Sequence, residues 1–381
     1  MNRKKVSLPY FAVALLAMMV VVVTISRVVK VAPHLGGPAT FVPSQITLAA
    51  ASSPTTQVML TVGSSTAVST FLHVTDTPLA TATLLPSPTP LPSYAQQTIA
   101  FPIRGAFYYP WFPEAWNQQG FNPFTRYTPL LGYYTSSDLN IIKKHVDEMQ
   151  YGNISLGIAS WWGQGTATDK RVDTLLSAAQ NTGFHWALYY EPEGIGNPSP
   201  DQITSDLVYI RDHYTANPAY LKIDGRYVIF VYAEPGDDCS MATRWKQANS
   251  TINAYVMLKV LPRFASCADQ PDGWHQYAAA HATFDRSISF TISPGFWKQG
   301  EPAARLPRDL NQWNADIQAM IKSNAKFQLI TTFNEWGEGT AIEPAQEWAS
   351  PSGYGVYLDA LHNALSQPSP DAAHLAGTPA P

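Results

Sequence analysis

The chain has 381 residues, 45% of them hydrophobic and 14% charged, with a formal net charge of -4. Five of its 24 Lys/Arg but only one acid, Asp76, precede residue 98, so the remainder is acidic and has no Lys/Arg run. Nucleic-acid binding is thereby excluded, because neutralising phosphates takes clustered positive charge. Two cysteines, Cys239 and Cys267, with no CxxC and no Cys/His cluster, argue against a structural zinc site. Whether these two pair stays open, since a bridge depends on a Cα separation that sequence does not supply.

In chain order, Arg3-Lys4-Lys5 leads into the apolar run YFAVALLAMMVVVVTI at 10–25. A basic start followed by such a run is an export signal, and no A-x-A site follows it. Residues 1–30 are therefore expected to be a membrane-anchor helix with its basic end inside; cleavage there would make the protein secreted instead. Residues 31–98 are built from Pro, Ser, Thr, Ala and Val, and end in TDTPLATATLLPSPTPLPS. That composition predicts a disordered stalk holding the next domain away from the membrane.

All eleven Trp lie after residue 100. From there short β-branched and aromatic runs alternate with amphipathic segments. The strand candidates are 103–110, 155–162, 185–191, 227–233, 255–261, 287–293 and 326–333, with 274–277 as the eighth. The helical candidates are 138–149, where Leu139, Ile142, Val146 and Met149 share a face, and 170–181, 201–214, 239–249 and 308–323. This alternation predicts an α/β domain over 99–368, a (β/α)8 TIM barrel, followed by a disordered tail at 369–381. A doubly wound open sheet is disfavoured because no Gly-rich phosphate loop follows the first strand.

A barrel gathers its functional groups at the C-terminal ends of its strands. In this chain those ends carry Tyr109 and Trp111, Trp161 and Trp162, Glu191 and Glu193, Tyr232, Trp297, and finally Asn334, Glu335, Trp336 and Glu338. Aromatic rings offer stacking faces for sugars, and carboxylates accept hydroxyl hydrogen bonds; filling barrel layers is the competing role of the rings. Glycosidic cleavage needs a proton donor and a second carboxylate. Two acids in one aromatic-walled pocket repel each other's ionisation, so one can stay protonated near neutrality. Glu335 and Glu338, three apart in TTFNEWGEGTAIEP with a third acid at Glu343, are the expected catalytic pair. The alternative for them is a pair of solvated loop charges or helix-start carboxylates. His145 and His185, on a helix face and at a strand start, are expected to be structural.

These residues resemble glycoside hydrolase family 99, the endo-α-mannosidase and endo-α-mannanase family, over about 103–366. The resemblance rests on YYPWF (108–112), PLLGYYTSSD (129–138), SWWGQG (160–165), YYEPEG (189–194), GRYVIFVY (225–232), GFWK (295–298) and FNEWGEGTAIEPA (333–345). It implies a (β/α)8 fold and cleavage of α-mannosidic linkages with retention, without metal or cofactor. Glu335 would deprotonate the sugar 2-hydroxyl, which attacks the anomeric carbon, and Glu338 would protonate the leaving oxygen and then activate water. Glu191 would bind substrate, with Tyr109, Trp161 and Tyr232 as subsite residues. Asp138 suits a helix cap after Ser136-Ser137; the resemblance implies a substrate-hydroxyl contact as its alternative. The chain departs from the family at Gly337, commonly His, and at Ala341, commonly Gln, which bears on mannose specificity. The expected partner is a polysaccharide or oligosaccharide substrate. Alternatives to hydrolysis are a cell-surface glycosyltransferase or transglycosylase, and a non-catalytic glycan-binding module.

Overall fold

The computed structural model describes residues 100–281, 283–285 and 288–366. The expected anchor (1–30), stalk (31–98) and tail (369–381) lie outside the described residues. Among the described residues no helix is long and apolar enough to cross a membrane.

Ten strands form the sheet: β1 (Ile103–Tyr108), β2 (Leu156–Trp161), β3 (His185–Tyr190), β4 (Lys222–Ile223), β5 (Arg226–Val231), β6 (Tyr255–Lys259), β7 (Gly273–His275), β8 (Thr283–Asp285), β9 (Ser289–Ile292) and β10 (Phe327–Ile330). The helices are α1 (Leu139–Tyr151), α2 (Val172–Ala178), α3 (Pro200–His213), α4 (Cys239–Ala248), α5 (Leu310–Lys322) and α6 (Gly355–Leu365). The strands run in the order β7-β6-β5-β3-β2-β1-β10-β9-β8, parallel throughout except for β8 against β9 and the short β4 against β5. Eight parallel strands thus make a nearly closed barrel. The short 274–277 segment is confirmed as a strand one residue earlier, at β7. The eight-unit expectation is corrected for the helices. Only thirteen residues (260–272) separate β6 from β7, and they hold a 3-10 turn at Phe264–Ser266.

Among the described residues no backbone ladder joins the two parallel strands β7 and β9. Hydroxyls close this seam instead. The Oγ of Ser289 donates to the Trp274 carbonyl, the Oγ1 of Thr291 to that of Gln276, and the Oγ of Ser293 to that of Ala279, each at 2.9 Å. Residues two apart on a strand share a face, so one side of this segment supplies all three donors.

Parallel strands in a barrel are buried on both faces, which is why they read as continuous apolar runs. On β1, Ile103 and Phe107 point into the barrel, where Phe107 meets Tyr189 with ring centroids 5.0 Å apart. Ala106 and Tyr108 face the helices. Gly157 on β2 is required by packing: a Cβ there would stand 2.1 Å from the Trp186 ring of β3. Cys239, which opens α4, is bridged to Cys267 in the β6–β7 connection with Cα atoms 5.2 Å apart, which settles the pairing the sequence left open.

Candidate active site

The loop after β10 is a compact turn whose shape follows from its hydroxyls and glycines. The Thr332 amide donates to the Thr340 carbonyl at 3.1 Å, and the Glu335 amide donates to Thr332 Oγ1 at 2.9 Å. Gly339 sits at φ +66°, and a Cβ there would meet the Trp297 carbonyl oxygen at 2.6 Å. At Gly337 a Cβ would strike the Phe124 ring at 2.5 Å, so Phe124 takes the space a larger residue would need. The Asn334 side chain clamps this loop to the end of β1, accepting from the Tyr109 amide at 2.7 Å and donating to the Tyr109 carbonyl at 3.1 Å.

This turn brings Glu335 and Glu338 into one open cleft at the C-terminal end of the barrel, with Glu191 and Glu234 also in its lining. The Glu338 amide donates to Glu335 Oε1 at 3.3 Å. Burial pushes the Glu335 carboxyl up to about 8, and the neighbouring Glu338 adds to the rise, against Lys298 and the loop amides. Glu338 is raised mainly by burial, with Lys298 and Arg305 opposing. Burial also lifts Glu191 to about 8, against a hydrogen bond from Ser160 and the charge of Lys259. Lys259 donates to the Ala233 carbonyl at 2.9 Å and lies 4.2 Å above the Tyr232 ring; burial pulls its ammonium down to about 8. Several buried acids close together cannot all ionise near neutrality, so the cleft holds protons that a substrate could receive.

Of the residues expected from sequence, Tyr109, Trp111, Trp162, Glu191, Tyr232, Glu335 and Glu338 line this cleft. The other six stand outside its lining with other partners. Asp138 is exposed and caps α1, accepting from the Asn140 amide at 2.8 Å. Trp161 is fully buried and donates to Asp169 at 2.7 Å. Glu193 is buried between Trp245 Nε1 at 2.6 Å and Arg244 at 2.8 Å. Trp297 donates to the Glu301 carbonyl and lies under Arg126, 4.3 Å from ring centroid to Cζ. Asn334 clamps Tyr109, and Trp336 is buried, donating to Glu343 at 2.9 Å. An aromatic at a strand end can point outward to the helices as readily as inward, so position along the strand does not decide which of them line the cleft.

Sequence reasoning missed Glu234, Tyr277, Lys298, Phe124 and Gln118. Tyr277 donates no signal beyond lying two residues after β7; its hydroxyl accepts from Tyr109 at 2.9 Å, and burial with Glu338 and Glu335 nearby raises it well above 10. Glu234 was readable as the residue directly after the expected strand 227–233, three residues past the end of β5. Phe124 and Gln118 lie on an irregular loop, where no periodicity marks them.

Among the described residues one cluster has a metal-ligand donor set: His145, Glu148 and Glu343, all buried, with candidate ligand atoms within 4.8 Å of one another. His145 Nδ1 bonds the Tyr108 hydroxyl at 2.8 Å, and Glu343 Oε2 accepts from Tyr134 at 2.7 Å as well as from Trp336. Burial and then Glu343 push the Glu148 carboxyl well above its usual range, so a proton can offset part of the charge there. The cluster meets the loop after β10 through Trp336 and is separate from the cleft lining.

Residues 107–248 match the sequence profile of glycosyl hydrolase family 99. The chain is 22% identical over 277 residues to a Rattus norvegicus protein described as glycoprotein endo-alpha-1,2-mannosidase, covering 61% of this chain and 59% of that one. A Mus musculus protein of the same description is 24% identical with the same coverage. The chain therefore spans about three fifths of the length of the curated relatives it matches. A solved family 99 endo-alpha-mannosidase from Bacteroides thetaiotaomicron superimposes with a TM-score of 0.56 at 22% identity, covering 69% of this chain and 96% of that one. A structure described as a glycoside hydrolase-like protein gives 0.53 at 17% identity, covering 73% and 97%. Both share the barrel.

Proposed function

From the match of residues 107–248 to glycosyl hydrolase family 99 and the shared barrel, we propose that this chain is a family 99 or family 99-like protein that hydrolyses α-linked, mannose-like glycans with retention of configuration. The observation that supports the reading most is the pairing of a buried Glu335 with a half-buried Glu338 in one aromatic-walled cleft. Glu335 takes the proton of the sugar 2-hydroxyl as that oxygen bonds the anomeric carbon. The bond to the leaving oxygen breaks, and Glu338 gives that oxygen a proton. The product of this step is a 1,2-anhydro sugar. Glu338, now a carboxylate, removes a proton from water as the water attacks the anomeric carbon, and Glu335 returns a proton to the 2-oxygen. The pair thus begins and ends with one proton between its two carboxyls, as general acid–base chemistry requires.

The surrounding residues suit this work. Trp111 and Trp162 lie with ring centroids 6.4 Å apart on one side of the cleft, giving apolar faces for the C–H-rich side of a sugar. Trp111 is steadied by its Nε1 donating to Ser160 at 2.9 Å. Glu191 and Glu234 offer acceptors for sugar hydroxyls, and Tyr109 and Tyr277 present a hydroxyl pair beside the glutamates. Retention is checked by proton NMR of the first-formed product: an α-anomer is expected from an α-linked glycan, and a β-anomer would contradict the mechanism.

Export with anchoring through residues 1–30 completes the proposal, supported by the basic start and apolar run in the sequence. The full chain is expected in the membrane fraction, with its glycan-directed domain degraded by protease added outside the cell. Recovery in the cytosol would refute export, and recovery in the medium would show that the segment is cleaved.

A further inference from the structure

His145 and Glu148 stand three apart on α1, a spacing that puts both side chains on one face of the helix, here the buried one. Glu343 reaches the same point from the far end of the loop after β10, where its amide donates to the Phe333 carbonyl at 2.9 Å. The candidate ligand atoms of the three lie within 4.8 Å of one another. Each residue also keeps one buried atom, His145 Nε2, Glu148 Oε2 or Glu343 Oε1, that has no hydrogen-bond partner among the described residues. His145 Nε2 and Glu343 Oε1 approach to 3.3 Å, yet that contact is not a hydrogen bond. Buried polar atoms are almost always paired, so three unpaired ones converging on one point ask for a common partner.

The outward atoms of the cluster are already held. His145 Nδ1 meets the Tyr108 hydroxyl at 2.8 Å, and Glu343 Oε2 accepts from Tyr134 and Trp336. An imidazole whose Nδ1–H donates to Tyr108 turns the Nε2 lone pair toward the two carboxylates, and outer partners of this kind orient metal ligands. Charge points the same way. Lys144 Nζ lies 4.0 Å from Glu148 Oε1 and is 40% exposed, too little to offset two buried carboxylates. A divalent cation offsets both. One imidazole nitrogen with two carboxylate oxygens suits zinc, whereas calcium and magnesium take shells of oxygen alone. Bonds of about 2.0–2.1 Å to a tetrahedral zinc place its ligand atoms about 3.3 Å from one another, which is the spacing between His145 and Glu343.

We propose that His145, Glu148 and Glu343 bind one zinc ion, with water as the fourth ligand, and that the ion ties α1 to the loop carrying Glu335 and Glu338. Its role is structural. It lies outside the cleft lining and bears on the loop through Glu343, which also holds Trp336 between the two glutamates. The proposal stands apart from the glycosidase reading, since neither needs the other. Its donors include no cysteine, and Glu343 lies far along the chain from α1, so no motif in the sequence announces the site.

The test strips the untagged full chain with EDTA, dialyses it, and adds zinc while bound metal is counted by elemental mass spectrometry and unfolding is followed with temperature. One zinc per chain is expected, with a rise in Tm of about 5 °C once zinc reaches about a hundred times its Kd. Calcium at the same concentration is expected to leave Tm where it was. Glu148→Gln keeps the shape of the side chain without its charge and is expected to remove the response to zinc. X-ray absorption at the zinc edge locates the ion on the unsubstituted chain, whether or not that variant folds: one imidazole nitrogen and otherwise oxygen neighbours, at about 2.0–2.2 Å, are expected. No bound zinc and no change in Tm would overturn the proposal and leave a proton on Glu148 to balance the cluster. Zinc held by several imidazoles or by none, a response to calcium equal to that to zinc, or an undiminished response in folded Glu148→Gln would overturn it as well.

Discussion

Glu338→Gln is expected to lower turnover by about 10²–10⁴-fold while leaving glycan affinity within a few fold, because general acid–base work contributes about that much. Gln keeps the shape and one acceptor of the side chain but can neither give a proton to a leaving oxygen nor take one from water. The Glu338 amide bond to Glu335 is a backbone bond and survives the change. Among the described residues Glu338 Oε2 has no hydrogen-bond partner, which leaves that atom for a ligand. Loss of turnover with retained affinity, measured by initial rates and calorimetry on the same sample, is the signature of a group that acts in the transition state. Near-wild-type turnover would remove Glu338 from the mechanism.

The second large effect is the pH dependence of kcat/KM, which reports the free enzyme. In the proposed mechanism the active form of the Glu335–Glu338 pair carries one proton between two carboxyls. With Glu335 raised to about 8 by burial and by Glu338, that shared proton persists through neutrality. As pH rises through about 8 the pair loses it, no acid remains, and the rate is expected to fall tenfold for each further unit. As pH falls the pair takes a second proton, no base remains, and the rate falls again. A bell with its alkaline limb near 8 follows. A rate that stays level to pH 10 would show that neither glutamate need hold a proton. An alkaline limb near 5 would show that burial does not raise the pair.

The barrel was legible because its parallel strands, buried on both faces, leave apolar runs that survive any uncertainty of register. The 274–277 segment was the hardest to read, and the structure explains why: the β7–β9 seam closes through Ser289, Thr291 and Ser293 hydroxyls rather than through a second backbone ladder. Helix α6 went unread among the elements, although its apolar residues Tyr357, Leu358 and Leu361 are buried. In the site, an ExxE alone is a weak signal; Glu335 and Glu338 were singled out because the motif follows an expected strand, with Trp336 and Gly337 inside it and Gly339 behind it. Side-chain direction did not stand out. Trp161 and Trp162 are adjacent, yet one packs toward the helices against Asp169 and the other lines the cleft. Glu191 and Glu193 divide in a different way, the first into the cleft and the second behind Arg244. A loop carrying Phe124 into contact with Gly337 lies more than two hundred residues away in the chain, and no local pattern announces it.

The most direct test of a glycosidase built on Glu335 and Glu338 is product analysis by mass spectrometry. The full chain is incubated with a panel of α-mannans and other α-linked envelope glycans, beside the Glu335→Gln/Glu338→Gln variant. Shorter oligosaccharides carrying one added water, formed by the unsubstituted chain alone, are the predicted result. Intact glycans with both forms, or products extended onto a sugar acceptor with no hydrolysis, would contradict it.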